Sequence, residues 1–126
     1  MKNVTLRTYF ISADKPNLTP VESAMRQTEL IRTLIKLGYD PTPVVGKYNG
    51  ILEQSVVFTG CIEAETILNK LLNKYNQDAY LIVYYDHIAE LVDNTGVRRT
   101  LGQFKEVKDP SEKDFTKIGD HFYVVE

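Results

Sequence analysis

The stretch AYLIVYY at residues 79–85 constrains this chain more than any other. Every residue in it is apolar or aromatic, and its β-branched and aromatic side chains favour an extended backbone. A strand sends alternate side chains to opposite faces, so a run with no polar side settles only where both faces are covered. The stretch is predicted as a central strand, and such a strand requires a layer of structure on each side.

Two amphipathic helices can supply cover. Thr19-Pro20-Val21-Glu22 is a strong helix start, with Thr19 as N-cap, Pro20 in the first turn and Glu22 closing a capping box. Val21, Ala24, Met25, Thr28, Ile31, Leu34 and Ile35 then recur at helical spacing and are expected to form the buried face, with Gly38 ending the helix. Residues 63–75 give a second helix with Ala64, Ile67, Leu68, Leu71, Leu72 and Tyr75 on one face. Glu63 and Glu65 near its start and Lys70 and Lys74 near its end suit the helix dipole.

The remaining segments read as strands and turns. Residues 3–13 alternate Val4, Leu6, Thr8 and Phe10 with Thr5, Arg7, Tyr9 and Ile11, and residues 42–48 and 54–59 give two more β-type runs. Beyond the central strand, residues 86–93 turn and pair onward through an Asn94-Thr95-Gly96 hairpin signal, residues 97–107 hold a further strand, and residues 109–120 are charged loop. Residues 121–125 (HFYVV) form a last strand whose free edge would suit a neighbouring subunit. The order β-α-β-β-α-β with a β tail predicts a ferredoxin-like α+β fold. In it, one antiparallel sheet carries two helices on one face, as a single domain over residues 1–126.

Composition removes several function classes. A net charge of -2 gives no electrostatic basis for nucleic acid or an anionic membrane as main partner. No run approaches the roughly 18 apolar residues of a membrane span, and the start MKNVTLRTYFIS has no apolar core for a secretory signal. The single cysteine, Cys61, excludes an internal disulfide and fits a reducing, cytoplasmic compartment. His87 and His121 are far apart and Cys61 has no partner at ligand spacing, so no metal or cofactor site is expected. Gly46-Lys47 lacks the rest of a phosphate loop.

The segment VVGKYNGILEQSVVFTG at residues 44–60 is the candidate working part. Its β-type flanks are explained by packing; Gly46, Tyr48, Asn49, Gly50 and the lone carboxylate Glu53 are explained either as an ordinary connection or as a ligand loop. Eight tyrosines without a tryptophan leave the same two readings, strand packing or an aromatic lining for a base or cation. Tyr84 and Tyr85 end the central strand, and Glu90 is the second carboxylate near a predicted strand end in such a setting.

Several segments together resemble the small phage-encoded S-adenosylmethionine-degrading enzymes, first called hydrolases and later understood as lyases. Gln77-Asp78 and the following AYLIVYYDHIAELV resemble the family's acidic turn, central strand and His-x-Ala hairpin. Gly102-Gln103-Phe104-Lys105-Glu106-Val107 is similar to its Gly-x-Phe-x-Glu-Val segment, and residues 121–125 to its aromatic last strand. Gly46-Lys47-Tyr48 and Glu53-Gln54-Ser55-Val56 resemble its central motifs, although the segment between Tyr48 and Glu53 is several residues shorter here.

The resemblance implies a homo-oligomer, a trimer of PII-like ferredoxin-like subunits with substrate held between them, in the host's cytoplasm for a phage enzyme. The implied reaction cleaves S-adenosylmethionine to 5′-methylthioadenosine and L-homoserine lactone, by attack of the substrate's own carboxylate and without a cofactor. On this reading Glu53 and Tyr48 are catalytic, and Gly46, Tyr84, Tyr85, His87 and Glu90 bind substrate. A non-enzymatic PII-like protein that sequesters a nucleotide would use the same tyrosines, and a small interaction protein would need no pocket.

Overall fold

The structure, a computed structural model, describes residues 5–126; Asn3 and Val4 of the first predicted strand lie outside the described residues. In chain order the elements are β1 (Arg7–Ile11), α1 (Pro20–Lys36), β2 (Thr42–Tyr48), β3 (Ile51–Gly60), α2 (Ala64–Tyr75), β4 (Ala79–Val83), β5 (Ile88–Asp93), β6 (Arg98–Val107), β7 (Phe115–Ile118) and β8 (His121–Val125). All pairings are antiparallel, and the strands close into a barrel in the order β1-β3-β2-β7-β8-β6-β5-β4.

This barrel corrects the open ferredoxin-like, PII-like sheet expected from the sequence. The correction comes from β7, four residues (FTKI) inside the charged segment 109–120 that was expected to be loop. It pairs with β2, placing Thr116 opposite Gly46, and with β8, placing Thr116 opposite Tyr123. An open sheet would leave the N–H and C=O groups of β2 unpaired along one edge, and closure removes that edge. The edge of β8 is not free either, since β6 and β7 occupy its two sides.

The central strand is covered on both faces, as the AYLIVYY run requires. Tyr80 and Ile82 of β4 point outward into a core shared with Tyr9, Phe58, Leu68 and Leu72 under the helices. Leu81 and Val83 point into the barrel, where they meet Phe10, Val44 and Ala89.

The helices form where expected but differ in how they dock. In α2, Ala64, Leu68, Leu71, Leu72 and Tyr75 are buried as their spacing predicts. In α1 the capping box forms, with Glu22 N–H donating to Thr19 Oγ1 at 3.2 Å and Thr19 N–H to Glu22 Oε1 at 3.1 Å. Leu34 is buried as expected and Ile31 packs partly against the core, but Ser23, Gln27 and Leu30 complete the buried face, while Val21, Met25 and Ile35 are 68%, 67% and 57% exposed. Two hydrogen bonds explain this rotation: Gln27 Nε2 donates to the Ser55 carbonyl at 2.7 Å, and Ser23 Oγ donates to Asp14 Oδ1 at 2.5 Å. A buried polar group with a partner is tolerated where an unpaired one is costly. Among the described residues no helix is long and apolar enough to cross a membrane.

Glu65 of α2, expected only to complement the helix dipole, is 5% exposed. Its Oε2 accepts from Arg7 at 2.7 Å and from the Tyr9 hydroxyl at 2.8 Å, and Arg98 bonds its Oε1. Arg98 also reaches Glu90 at 2.9 Å, and Glu90 accepts from the Tyr84 hydroxyl at 2.7 Å. This cluster ties α2 to β1, β5 and β6 on the outside of the barrel.

Candidate active site

Ladder pairing between β1 and β3 ends at Ile11 opposite Val56, although β3 begins five residues earlier at Ile51. Beyond Ile11 the chain leaves the sheet for α1, and β3 loses its neighbour on that side. The barrel opens there into a mouth of about 740 Å³, within the roughly 300–1,000 Å³ common for small-molecule sites. The mouth takes Ser12 and Asp14 from the segment that follows β1, Glu53 from β3, Asp78 from the turn before β4 and Phe104 and Tyr123 from β6 and β8.

Gly46, Tyr48 and Glu53 come together at this mouth. Gly46 lies opposite Glu53 in the β2–β3 ladder, and Tyr48, two residues on, leaves the sheet on the same side as both. The Tyr48 ring lies across Gly46: a Cβ there would fall 2.4 Å from Tyr48 Cε2. The glycine is thus explained by close approach of a side chain, with no substrate contact needed. Tyr48 and Thr116 share a hydrogen bond of 3.3 Å between their hydroxyls. Burial of the Tyr48 hydroxyl raises its pKa, against the lowering effect of Thr116 and with Glu53 adding to the rise.

The connection between Tyr48 and Glu53 is a two-residue hairpin at Asn49 (φ 52°) and Gly50 (φ 80°), the conformation of a type I′ turn. The Asp114 carboxylate accepts both turn amides, at 3.0 and 3.4 Å. The Asn-Gly dipeptide carries this hairpin in the sequence, and the third strand starts at Ile51 rather than at residue 54 because of it.

Glu53 has a raised pKa. Burial is the main cause, the Ser12 hydroxyl beside it opposes the rise, and the charges of Asp14 and Asp78 add to it while Lys15 subtracts. Lining carboxylates at Asp14, Glu53, Asp78 and Asp114 outnumber the cations Lys15 and Arg99, so the mouth favours a cationic ligand. Phe104 stacks on Tyr123 with centroids 4.9 Å apart, and Phe10 packs on Phe104 at 5.4 Å, giving aromatic surface beside these charges.

The other predicted site residues lie elsewhere in the chain. Tyr84 and Glu90 belong to the Glu65–Arg98 cluster outside the barrel. Tyr85 is 83% exposed, and His87 (φ 70°) occupies the turn between β4 and β5, at the end of β4 away from the mouth. Sequence reasoning did not name Ser12, Asp14, Arg99, Asp114 and Thr116, which carry no local motif and meet only because the barrel closes, nor Asp78, although it belongs to the Gln77-Asp78 turn that resembles the family's.

Segments from both halves of the chain therefore converge on one mouth, and the same segments match a known family along nearly the whole chain. The S-adenosylmethionine lyase family model covers residues 9–126. The chain belongs to this family. The S-adenosylmethionine lyases are named for the reaction, so this chain is a lyase with S-adenosylmethionine as its implied substrate. No curated protein sequence matches it.

Proposed function

We propose that the barrel mouth binds S-adenosylmethionine and converts it to 5′-methylthioadenosine and L-homoserine lactone. One carboxylate oxygen of the substrate attacks its own γ-carbon. The γ-carbon–sulfur bond breaks, its electron pair stays on sulfur and neutralises the sulfonium, and no proton moves. Such a step needs a folded substrate more than an acid or base, and positioning alone can supply as much as ~7–11 kcal/mol.

The observation that carries this reading is a half-buried carboxylate, Glu53, with a raised pKa in an acidic, aromatic mouth. Glu53 holds the substrate's ammonium group, whose charge is unchanged through the step. An anion on the sulfonium instead would favour the ground state over the transition state. Tyr48 orients the methionine chain against Glu53, and Phe104 and Tyr123 offer ring surface to the adenine. Tyr84, Tyr85, His87 and Glu90 serve a site only if a second copy brings them to the mouth, as in the homo-oligomer, a trimer, that the sequence resemblance implies. The exposed apolar side chains of α1 (Val21, Met25, Ile35) leave surface available for such association. Free Cys61 is compatible with a reducing cytoplasm.

Purified protein is incubated with S-adenosylmethionine in ¹⁸O-water and the products are read by mass spectrometry. Methylthioadenosine with unlabelled lactone at early times is expected. A label in the γ-hydroxyl of homoserine would show attack by water and overturn the mechanism. Stoichiometric binding without turnover would favour the sequestering protein instead. Glu53→Gln should lower turnover about 100-fold, on the scale of losing one preorganised polar contact.

A further inference from the structure

We infer that Asp14 is a positioning residue for the lyase reaction, holding the Glu53 carboxylate in place through the backbone of Gln54. This inference rests on the reading that Glu53 works at the mouth. Where the β1–β3 ladder has ended, residues 12–14 stand in for the missing strand. Asp14 Oδ2 accepts the Gln54 N–H at 2.9 Å, and Ser12 Oγ donates to the Gln54 carbonyl at 2.6 Å. Both backbone groups of the residue after Glu53 are therefore held by side chains, and the face of β3 that carries Glu53 stays open to the cavity.

Asp14 can do this because it is itself fixed from several sides. Its Oδ1 accepts from Ser23 Oγ of α1 at 2.5 Å and from the Lys15 N–H at 2.9 Å. Its own N–H donates to Ser12 Oγ at 2.9 Å, and its carbonyl accepts from Gln77 Nε2 at 2.8 Å. Arg26 Nε donates to the neighbouring Ala13 carbonyl at 2.5 Å, and another guanidinium nitrogen to the Tyr75 carbonyl at 2.8 Å. The loop is thus joined to α1, to the end of α2 and to β3. Asp14 lines the mouth, but its carboxylate is committed to three protein donors, so it acts through Glu53 rather than on the substrate.

An acceptor-only carboxylate fits this place and an amide does not. In Asp14→Asn, either orientation of the amide turns an NH₂ toward a backbone N–H, that of Gln54 or that of Lys15. The substitution also removes one of the two negative charges that raise the Glu53 pKa, the other being Asp78, with Lys15 opposing; Asp114 and Arg99 are the remaining charged groups that line the mouth.

The test measures kcat, KM and the pH profile for S-adenosylmethionine cleavage, together with thermal midpoints, for wild type, Asp14→Asn, Asp14→Glu and Glu53→Gln. Displacing a positioned group by about 1 Å can cost on the order of 100-fold. Asp14→Asn should lose ~10–100-fold in kcat with a smaller change in KM, and the acid limb of its profile should move to lower pH. Asp14→Glu keeps the charge but shifts the anchor, so it should lose kcat while the acid limb stays put; this variant carries the test if the asparagine protein does not fold. A lower thermal midpoint with wild-type kcat per folded molecule and an unmoved acid limb would make Asp14 merely structural and overturn the inference. Full activity in Glu53→Gln would instead remove the reading underneath it, a separate and distinguishable failure.

Discussion

Glu53 and Glu65 are both glutamates withdrawn from water, and the molecule treats them in opposite ways. Glu65 receives Arg7, Tyr9 and Arg98; burial pushes its pKa up, but these partners outweigh burial and the net shift is down. Glu53 is withdrawn further than its partners can compensate, faces Asp14 and Asp78, and has a raised pKa. Burial of a carboxylate is therefore not by itself a sign of function. A saturated carboxylate holds the fold together, whereas one left short of partners retains capacity for a ligand.

Removing the saturated group should have the largest effect. Glu65→Ala leaves Arg7 and Arg98 without their shared anion against α2; breaking a fully buried pair costs ~3–5 kcal/mol, and because the Arg7 and Arg98 side chains keep 20% and 41% exposure the cost here falls below that range. Chemical denaturation of this variant should show a large fall in stability; a loss below about 1 kcal/mol, the range of exposed ion pairs, would remove the distinction between the two glutamates. Acid sharpens the same point. The folded-state pKa of Glu65 lies below its unfolded value, so its contribution is complete above the ordinary glutamate pKa of about 4.3 and is lost as pH falls through the lowered value. Wild type should lose stability in that window more steeply than Glu65→Gln.

At the mouth the corresponding effects are on turnover. Gly46→Ala places a methyl group where the Tyr48 ring now lies, at 2.4 Å from Cε2, so the ring must leave its present position. Cleavage should fall roughly tenfold, less than the displacement of a main anchor, with the fold retained by circular dichroism. Wild-type turnover in that variant would mean that the ring position does not matter to the reaction.

The two helices show how much of this was legible. For α2 the apolar spacing named the buried face, because every residue in its core is apolar except Glu65. For α1 the same rule pointed at Val21, Met25 and Ile35, which face solvent, since Ser23 and Gln27 have hydrogen-bond partners on β3 and in the loop before α1. Periodicity registers side-chain polarity and not the partner waiting across the gap. Barrel closure was hidden for a similar reason: FTKI is too short and too flanked by charge to stand out, and its role depends on the β2 edge about 70 residues away. Glu53 and Tyr48 were named through the family resemblance, and the Asn-Gly turn that brings them to one mouth emerged only with the structure. Asp14 and Thr116 had no such local mark.

The smallest effect bears most directly on what separates the two glutamates. Because the folded-state pKa of Glu53 is raised, the folded protein binds that proton more tightly than the unfolded chain does. Ionised Glu53 therefore costs stability at any pH above the raised value, and the cost disappears below the unfolded pKa. Glu53→Gln removes the charge while keeping the shape, so it should raise the thermal midpoint near neutral pH by the equivalent of less than about 1 kcal/mol. The gain should vanish near pH 4, where wild-type Glu53 is protonated as well. A variant slower as an enzyme and more stable as a fold is the behaviour of a site held short of partners for the sake of its ligand. Lower stability in Glu53→Gln at neutral pH would instead place Glu53 beside Glu65 among the groups that hold the barrel together.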